Sequence, residues 1–272
     1  MQVIDKKMFM FNIKEVHFSK DPFDIEGCDF VIFPYCKNKV EAKGFFCYKK
    51  FTSIIDLTKN LDTIWQKFHT NTRRGIKRAE REGVKIRINC EYNQFFQIYK
   101  NFLEKKGLKS FFEVFGVGII PLDVMKKNGT LFVADYNGEI LGGIIFLHDT
   151  SYIEGWVGAS KRLESEKEDN VLIGCANRLI FWEAIKYAKE KGIKEFDFGG
   201  LFSENNAEKD PIKKGINSFK LSFGGEVVPG YSYEKGYSKS LQLAYYLYHL
   251  KKEFHRSIAK EVSVDRWSDK KP

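Results

Sequence analysis

Residues 171–200 read VLIGCANRLIFWEAIKYAKEKGIKEFDFGG, and this stretch decides the fold. Leu172, Cys175, Leu179, Trp182, Ile185 and Ala188 recur at helical spacing, which predicts a helix over 171–191 with one buried stripe; Gly192 stands where a helix C-cap belongs. The period then shortens to that of a strand in EFDFGG, residues 195–200. Upstream, β-forming runs at 130–136 and 140–148 are joined by Asn137-Gly138, a hairpin signal, and a third run covers 151–158. An antiparallel meander that feeds a helical crossover into a further strand specifies a mixed α/β sheet.

Further upstream, residues 29–57 hold two or three strands. Residues 60–82 carry Leu61, Ile64, Trp65, Phe68, Ile76 and Ala79 and read as one helix ending at Gly83; a strand at 84–88 and a helix at 93–105 follow. Downstream come a polar loop with Asp210-Pro211, a short segment at 216–223 and a strand at 227–233. Residues 238–262 form a basic, aromatic helix that either docks on the body or lies on a membrane surface.

With 43% hydrophobic and 30% charged residues, the chain is an ordinary globular protein and not a disordered one. The 25 Phe and 13 Tyr suit either a large interior or a groove for a partly apolar ligand. Lys and Arg outnumber Asp and Glu by 45 to 36, and the net charge of +9 favours anionic partners. Cys28, Cys36, Cys47, Cys90 and Cys175 show no metal-ligand spacing and read as thiols in a reducing compartment, and the five histidines are too scattered for a metal centre. Lacking a signal peptide or a membrane-length apolar run, the chain is expected to be cytoplasmic.

Three motifs carry chemistry. TRRGIKRAEREGV, residues 72–84, sets Arg73, Arg74, Lys77, Arg78 and Arg81 at helical spacing, either a phosphate-binding ridge or a solvated face partly neutralised by Glu80 and Glu82. In Asp197-Phe198-Gly199-Gly200 a carboxylate at a strand end precedes two glycines, where a backbone can approach a ligand or where the aspartate simply braces the loop. FKLSFGGE, residues 219–226, flanks Lys220 with Phe219 and Phe223 beside Gly224 and Gly225, so its charge can meet an oxyanion or phosphate. The chain lacks the other kinase motifs, as well as HExxH, GxSxG, P-loop and GxGxxG elements, so no metal or nucleotide cofactor is implied.

Taken in order, RRGIKRAEREGV, GGIIFL with GWVGAS, EKGIKEFDFGG and FKLSFGGEVV resemble the Fem-type peptidoglycan aminoacyltransferase family of the GNAT superfamily, over roughly residues 56–233. The resemblance implies a reduced N-terminal GNAT-like module (1–83), a complete GNAT module (84–237) and a C-terminal helix and tail (238–272), with a cleft between the modules. It further implies transfer of an amino acid from aminoacyl-tRNA to an amine of a nucleotide- or lipid-linked muropeptide precursor, with possible peripheral contact at the inner membrane surface. Phe219 and Lys220 would serve the acyl-donor end and catalysis; Arg73, Arg74, Gly199, Gly200, Gly224 and Gly225 belong to the matching motifs, and Lys77 and Asp197 join them as candidate substrate contacts. Acyl-CoA enzymes of this superfamily carry an RxxGxG/A turn before the central helix, and SKRLESEKEDNVLIG lacks it. Two alternatives therefore stand behind the aminoacyl-tRNA reading: acyl transfer from acyl-CoA or an acyl carrier to an amino sugar or small amine, and a non-catalytic RNA- or membrane-binding module.

Overall fold

The computed structural model describes residues 1–8, 10–105, 119–164, 169–203, 208, 210–238 and 241–243. Ten strands form one sheet in the order β1-β2-β3-β10-β4-β9-β8-β7-β6-β5. The expected meander is β6 (Thr130–Tyr136), β7 (Glu139–His148) and β8 (Tyr152–Ser160), and β5 (Lys85–Ile88) adds to its outer edge. Asn137 and Gly138 both take positive φ, as a two-residue hairpin turn requires. After the crossover, β9 (Glu195–Leu201) lies parallel to β8 and antiparallel to β4 (Phe46–Asp56). Strand β10 (Glu226–Gly236) inserts between β4 and β3 (Phe30–Cys36), so strands from before and after residue 83 share one sheet.

Two strands at the start of the chain were not foreseen: β1 (Gln2–Met8) and β2 (Phe11–His17) pair as a hairpin, and β2 joins β3 in parallel. The sheet curls strongly, because β2 meets β8 although β3, β10, β4 and β9 separate them in sheet order: His17 bonds Glu154, and Trp156 Nε1 donates to Glu15 Oε2 at 3.3 Å. Gln2 likewise reaches the Asn128 carbonyl at 2.8 Å.

The helix expected over 60–82 is two, α1 (Leu61–Lys67) and α2 (Thr70–Arg81). Phe68 turns to extended backbone and buries its ring against Trp65, Trp182 and Phe223, while the His69 N–H donates to Ser222 O at 2.8 Å. Tertiary packing thus overrides the helical period. Helix α3 (Tyr92–Lys105) begins one residue before the expected bound, and α4 (Leu122–Asn128) lies in the stretch left unassigned. The crossover helix α5 (Asp169–Glu190) buries more than one stripe, because Ile180, Phe181 and Ala184 also face the core while Leu172 and Trp182 are half-buried. The segment at 216–223 is the end of a longer helix, α6 (Pro211–Leu221), which Asp210 caps by accepting from the Ile212 N–H at 2.9 Å, with Pro211 in its first turn. The helix read at 238–262 lies almost wholly outside the described residues.

Helices α1, α2 and α5 cover one face of the sheet through a core dense in aromatic rings, among them Phe132, Phe146, Phe181, Phe196, Phe198 and Phe223. Much of the Phe excess therefore fills the interior. On the opposite face, α3 and α4 cover only the β6–β8 end, burying Phe95, Ile98 and Met125 on Leu131, Val133 and Ile145.

Candidate active site

Strands β8 and β9 pair only at Tyr152–Glu195, Ile153–Phe196 and Glu154–Asp197. Beyond that point β8 follows β7, with Gly155 opposite Phe146 and Ser160 opposite Gly142, whereas β9 follows β4, with Gly200 opposite Thr52 and Leu201 opposite Phe51. Two parallel strands therefore part in the middle of the sheet and leave a wedge whose β8 edge has no strand partner among the described residues. Bulges in β9 and β8 next to this point help turn the strands apart.

Lys220 stands at the wedge. Its Nζ donates to Gly200 O at 2.8 Å. Gly199 has φ +77°, which favours glycine, and a Cβ on it would sit tightly, 3.3 Å from Gly155 O, and 3.5 Å from Lys220 Nζ. Burial pushes the Lys220 amine down to about 8, and the nearby Asp197 charge resists that fall. The residue foreseen as catalytic is thus a half-buried ammonium at the point of strand separation.

Asp197 braces this geometry. It is buried and accepts from Thr52 Oγ1, from the Tyr152 hydroxyl and, at 2.7 Å, from the Gly199 N–H. Burial raises its carboxyl to about 6, against the bonds from Thr52 and Tyr152 that hold it down. A saturated, buried carboxylate of this kind positions Gly199 and Tyr152 and has no open surface for a ligand.

The other candidates separate into two groups. Phe219 packs on Phe181 and Phe223 with ring centroids 5.6 and 5.5 Å away, while Gly224 and Gly225 are packing positions: a Cβ on Gly224 would lie 2.3 Å from Lys67 O, and one on Gly225 2.5 Å from Ser53 Oγ. The basic ridge lies on α2, whose start is tied to the Lys220 helix by Thr72 Oγ1 donating to Ser222 Oγ at 2.7 Å. Arg73 reaches Gln66 O at 3.2 Å and Arg78 pairs with Glu82 at 2.5 Å; Arg74, Lys77 and Arg81 have no ion pair among the described residues.

Sequence reading missed several residues. Arg178 of α5 lies 5.3 Å over the Phe219 ring, donates to Gly174 O at 2.7 Å and leaves its Nε buried without a partner. An arginine inside the apolar run CANRLIF was the available signal. Along the paired stretch before the wedge, Tyr35 and Tyr152 stack with their planes 17° apart. Burial, with the charges of Asp197 and Glu195, pushes the Tyr35 hydroxyl up to about 12. Burial opposes the charge on His17, yet bonds to Glu15 and Glu154 outweigh it and raise the imidazole to about 9. Burial likewise opposes the charge on Glu15, but His17 and Lys6 bring the carboxyl down to about 2, with Lys6 Nζ at 2.5 Å. His17, Phe18, Tyr35, Tyr152, Glu154 and Glu195 line a cavity of about 410 Å³. No local signal marks these residues, since their partners lie far away in the chain.

Residues 66–210 match the acetyltransferase (GNAT) domain model, and the chain belongs to that family. No curated protein matches the chain in sequence. Its fold is similar to that of FemX, with a TM-score of 0.59 and 14% identity over 89% of this chain and 85% of FemX. It is also similar to L-PGS from Bacillus licheniformis, with a TM-score of 0.52 and 19% identity over 77% of this chain and 69% of that one. A third likeness is to the C-terminal domain of a putative lysylphosphatidylglycerol synthetase from Agrobacterium fabrum, with a TM-score of 0.53 and 14% identity over 79% and 70% of the two chains. The Fem-like form of the GNAT fold expected from the motifs is the one observed.

Proposed function

We propose that this acyltransferase moves an amino acid from aminoacyl-tRNA to an amine of a nucleotide- or lipid-linked peptidoglycan precursor, working in the cytoplasm and meeting lipid-linked acceptors at the inner membrane surface. The observation that carries the reading is the Lys220 ammonium held on Gly200 O beside the wedge. The acceptor amine attacks the ester carbonyl in the wedge, a C–N bond forms and the C–O bond to the ribose breaks. Lys220 stabilises the negative charge that develops on oxygen or on the neighbouring phosphate, and the ribose oxygen takes the proton released by the amine. A lysine near 8 is mostly charged at neutral pH and still able to share a proton. The unpaired Arg74, Lys77 and Arg81, on a helix anchored to the Lys220 helix, suit a phosphate-rich donor. No cofactor or metal enters this reaction.

Among the described residues no helix is long and apolar enough to cross a membrane, so a lipid-linked acceptor would be met from the surface. One of the structurally similar proteins is named a putative lysylphosphatidylglycerol synthetase. Acyl transfer from acyl-CoA to an amino sugar is the competing chemistry. The test is mass spectrometry of nucleotide- and lipid-linked muropeptides, phosphatidylglycerol and amino sugars incubated with the protein and either charged tRNA or acyl-CoA. Mass gain on a muropeptide with charged tRNA alone is the expected result; gain only on an amino sugar with acyl-CoA would replace this reading.

A further inference from the structure

The cavity of about 410 Å³ has polar chemistry that the reaction above does not yet use. Its deep wall is buried and partly committed: Glu154 Oε1 bonds His17 Nδ1, and the Tyr152 hydroxyl bonds Asp197. Glu154 Oε2 has no hydrogen-bond partner among the described residues, on a side chain that is 12% exposed. Tyr35, Tyr152 and Phe18 line the same cavity: Tyr152 stacks on Tyr35 and has Lys37 Nζ 5.8 Å from its ring centroid, and Phe18, held at φ +58°, meets Tyr152 edge-on at 5.8 Å. A carboxylate oxygen without a partner, in a cavity lined by aromatic rings, is suited to an ammonium group.

The rim has the opposite sign. Lys20, Lys37 and Lys194 are exposed around the opening; Lys37 is engaged by both oxygens of Glu195 at 2.8 and 2.9 Å, whereas Lys20 and Lys194 carry no ion pair among the described residues. Glu154 is the register partner of Asp197, and the next residue, Gly155, is where β8 and β9 part. A nitrogen held at Glu154 therefore lies beside the wedge in which the donor carbonyl would sit.

We propose that this cavity is the acceptor site, and that it selects a primary amine whose molecule also carries an anionic group, with the amine at Glu154 Oε2 and the anion between Lys20 and Lys194. The proposal rests on the acyl-transfer reading for its purpose, but it is tested without any donor, so that binding and transfer succeed or fail separately. Amide NMR of the full chain is followed during titration with Nα-acetyl-L-lysine, with its methyl ester, which lacks the anion, and with Nα,Nε-diacetyl-L-lysine, which lacks the amine. Nα-acetyl-L-lysine should shift the Glu154, Gly155 and Lys194 signals saturably, and each derivative should bind about fivefold more weakly or less. Lys20→Ala combined with Lys194→Ala, two exposed changes that leave the interior alone, should weaken Nα-acetyl-L-lysine by a similar factor and leave the methyl ester unchanged. Glu154→Gln should remove the preference for the free amine. Equal binding of all three compounds, absence of saturable shifts with any of them, or indifference of the double lysine variant would overturn the assignment.

Discussion

Strand β9 presents two different proteins on its two faces. Phe196 and Phe198 point into the helix-covered core, fully buried against Phe146, Phe181 and Phe223 at centroid distances of 4.8–5.6 Å. Glu195 and Asp197 alternate with them and face the cavity side, among Tyr152, Tyr35 and Lys37. The first face is apolar and close-packed, where stability comes from burial. The second holds ionisable groups whose bonds must be met one by one, since each unpaired charge there is costly. The strand EFDFGG thus ties a rigid aromatic platform to a chemically active surface, and the two can be damaged independently.

The largest effect is expected on the packed face. Phe198→Ala should lower unfolding free energy by about 3–5 kcal/mol, seen as a lower denaturant midpoint. On the other face, Lys220→Met should reduce kcat by about 10²- to 10³-fold while the midpoint stays close to wild type, because the ammonium makes one hydrogen bond at a half-buried position. A Lys220→Met protein that keeps full turnover would remove the lysine from the mechanism. If it instead unfolds like Phe198→Ala, the division between the faces fails.

Gly199→Ala sharpens the boundary, since this residue belongs to both. A positive φ costs about 1–2 kcal/mol for alanine, and the new Cβ would crowd Gly155 O and touch Lys220 Nζ. The expected outcome is a modest loss of stability together with a roughly tenfold loss of rate, because a small displacement at a reacting centre is expensive. Loss of stability without loss of rate would mean that the wedge tolerates a wider spacing of its strands.

The packed face was legible in the sequence and the open face was not, for a physical reason. Helical and strand periods report burial, so the meander, the crossover helix and EFDFGG could be read from residues 130–200. Lys220 and Gly199 were legible because short motifs mark them. His17, Tyr35, Tyr152 and Glu154 come from three strands that only the curl of the sheet brings together, and an isolated charged residue in a strand carries no sign of a distant partner. The break at Phe68 was hidden likewise, since no Gly or Pro marks it and the cause lies in Trp182 and Phe223.

The smallest effect concerns the buried ionic cluster that closes the open face. His17 is raised from 6.5 to about 9, so the stability that its charge contributes is complete below about 6.5 and is lost as pH rises through about 9. Glu15 is lowered from 4.5 to about 2, so its contribution is complete above about 4.5 and is lost as pH falls through about 2. Between these limits the cluster should keep the melting temperature flat, with a fall of a few degrees between pH 7 and 9.5 for the wild-type chain. His17→Gln keeps a hydrogen-bonding side chain but cannot titrate, so it should begin less stable at pH 7 and show a shallower fall with rising pH. An identical slope in both proteins would place the alkaline loss outside this cluster.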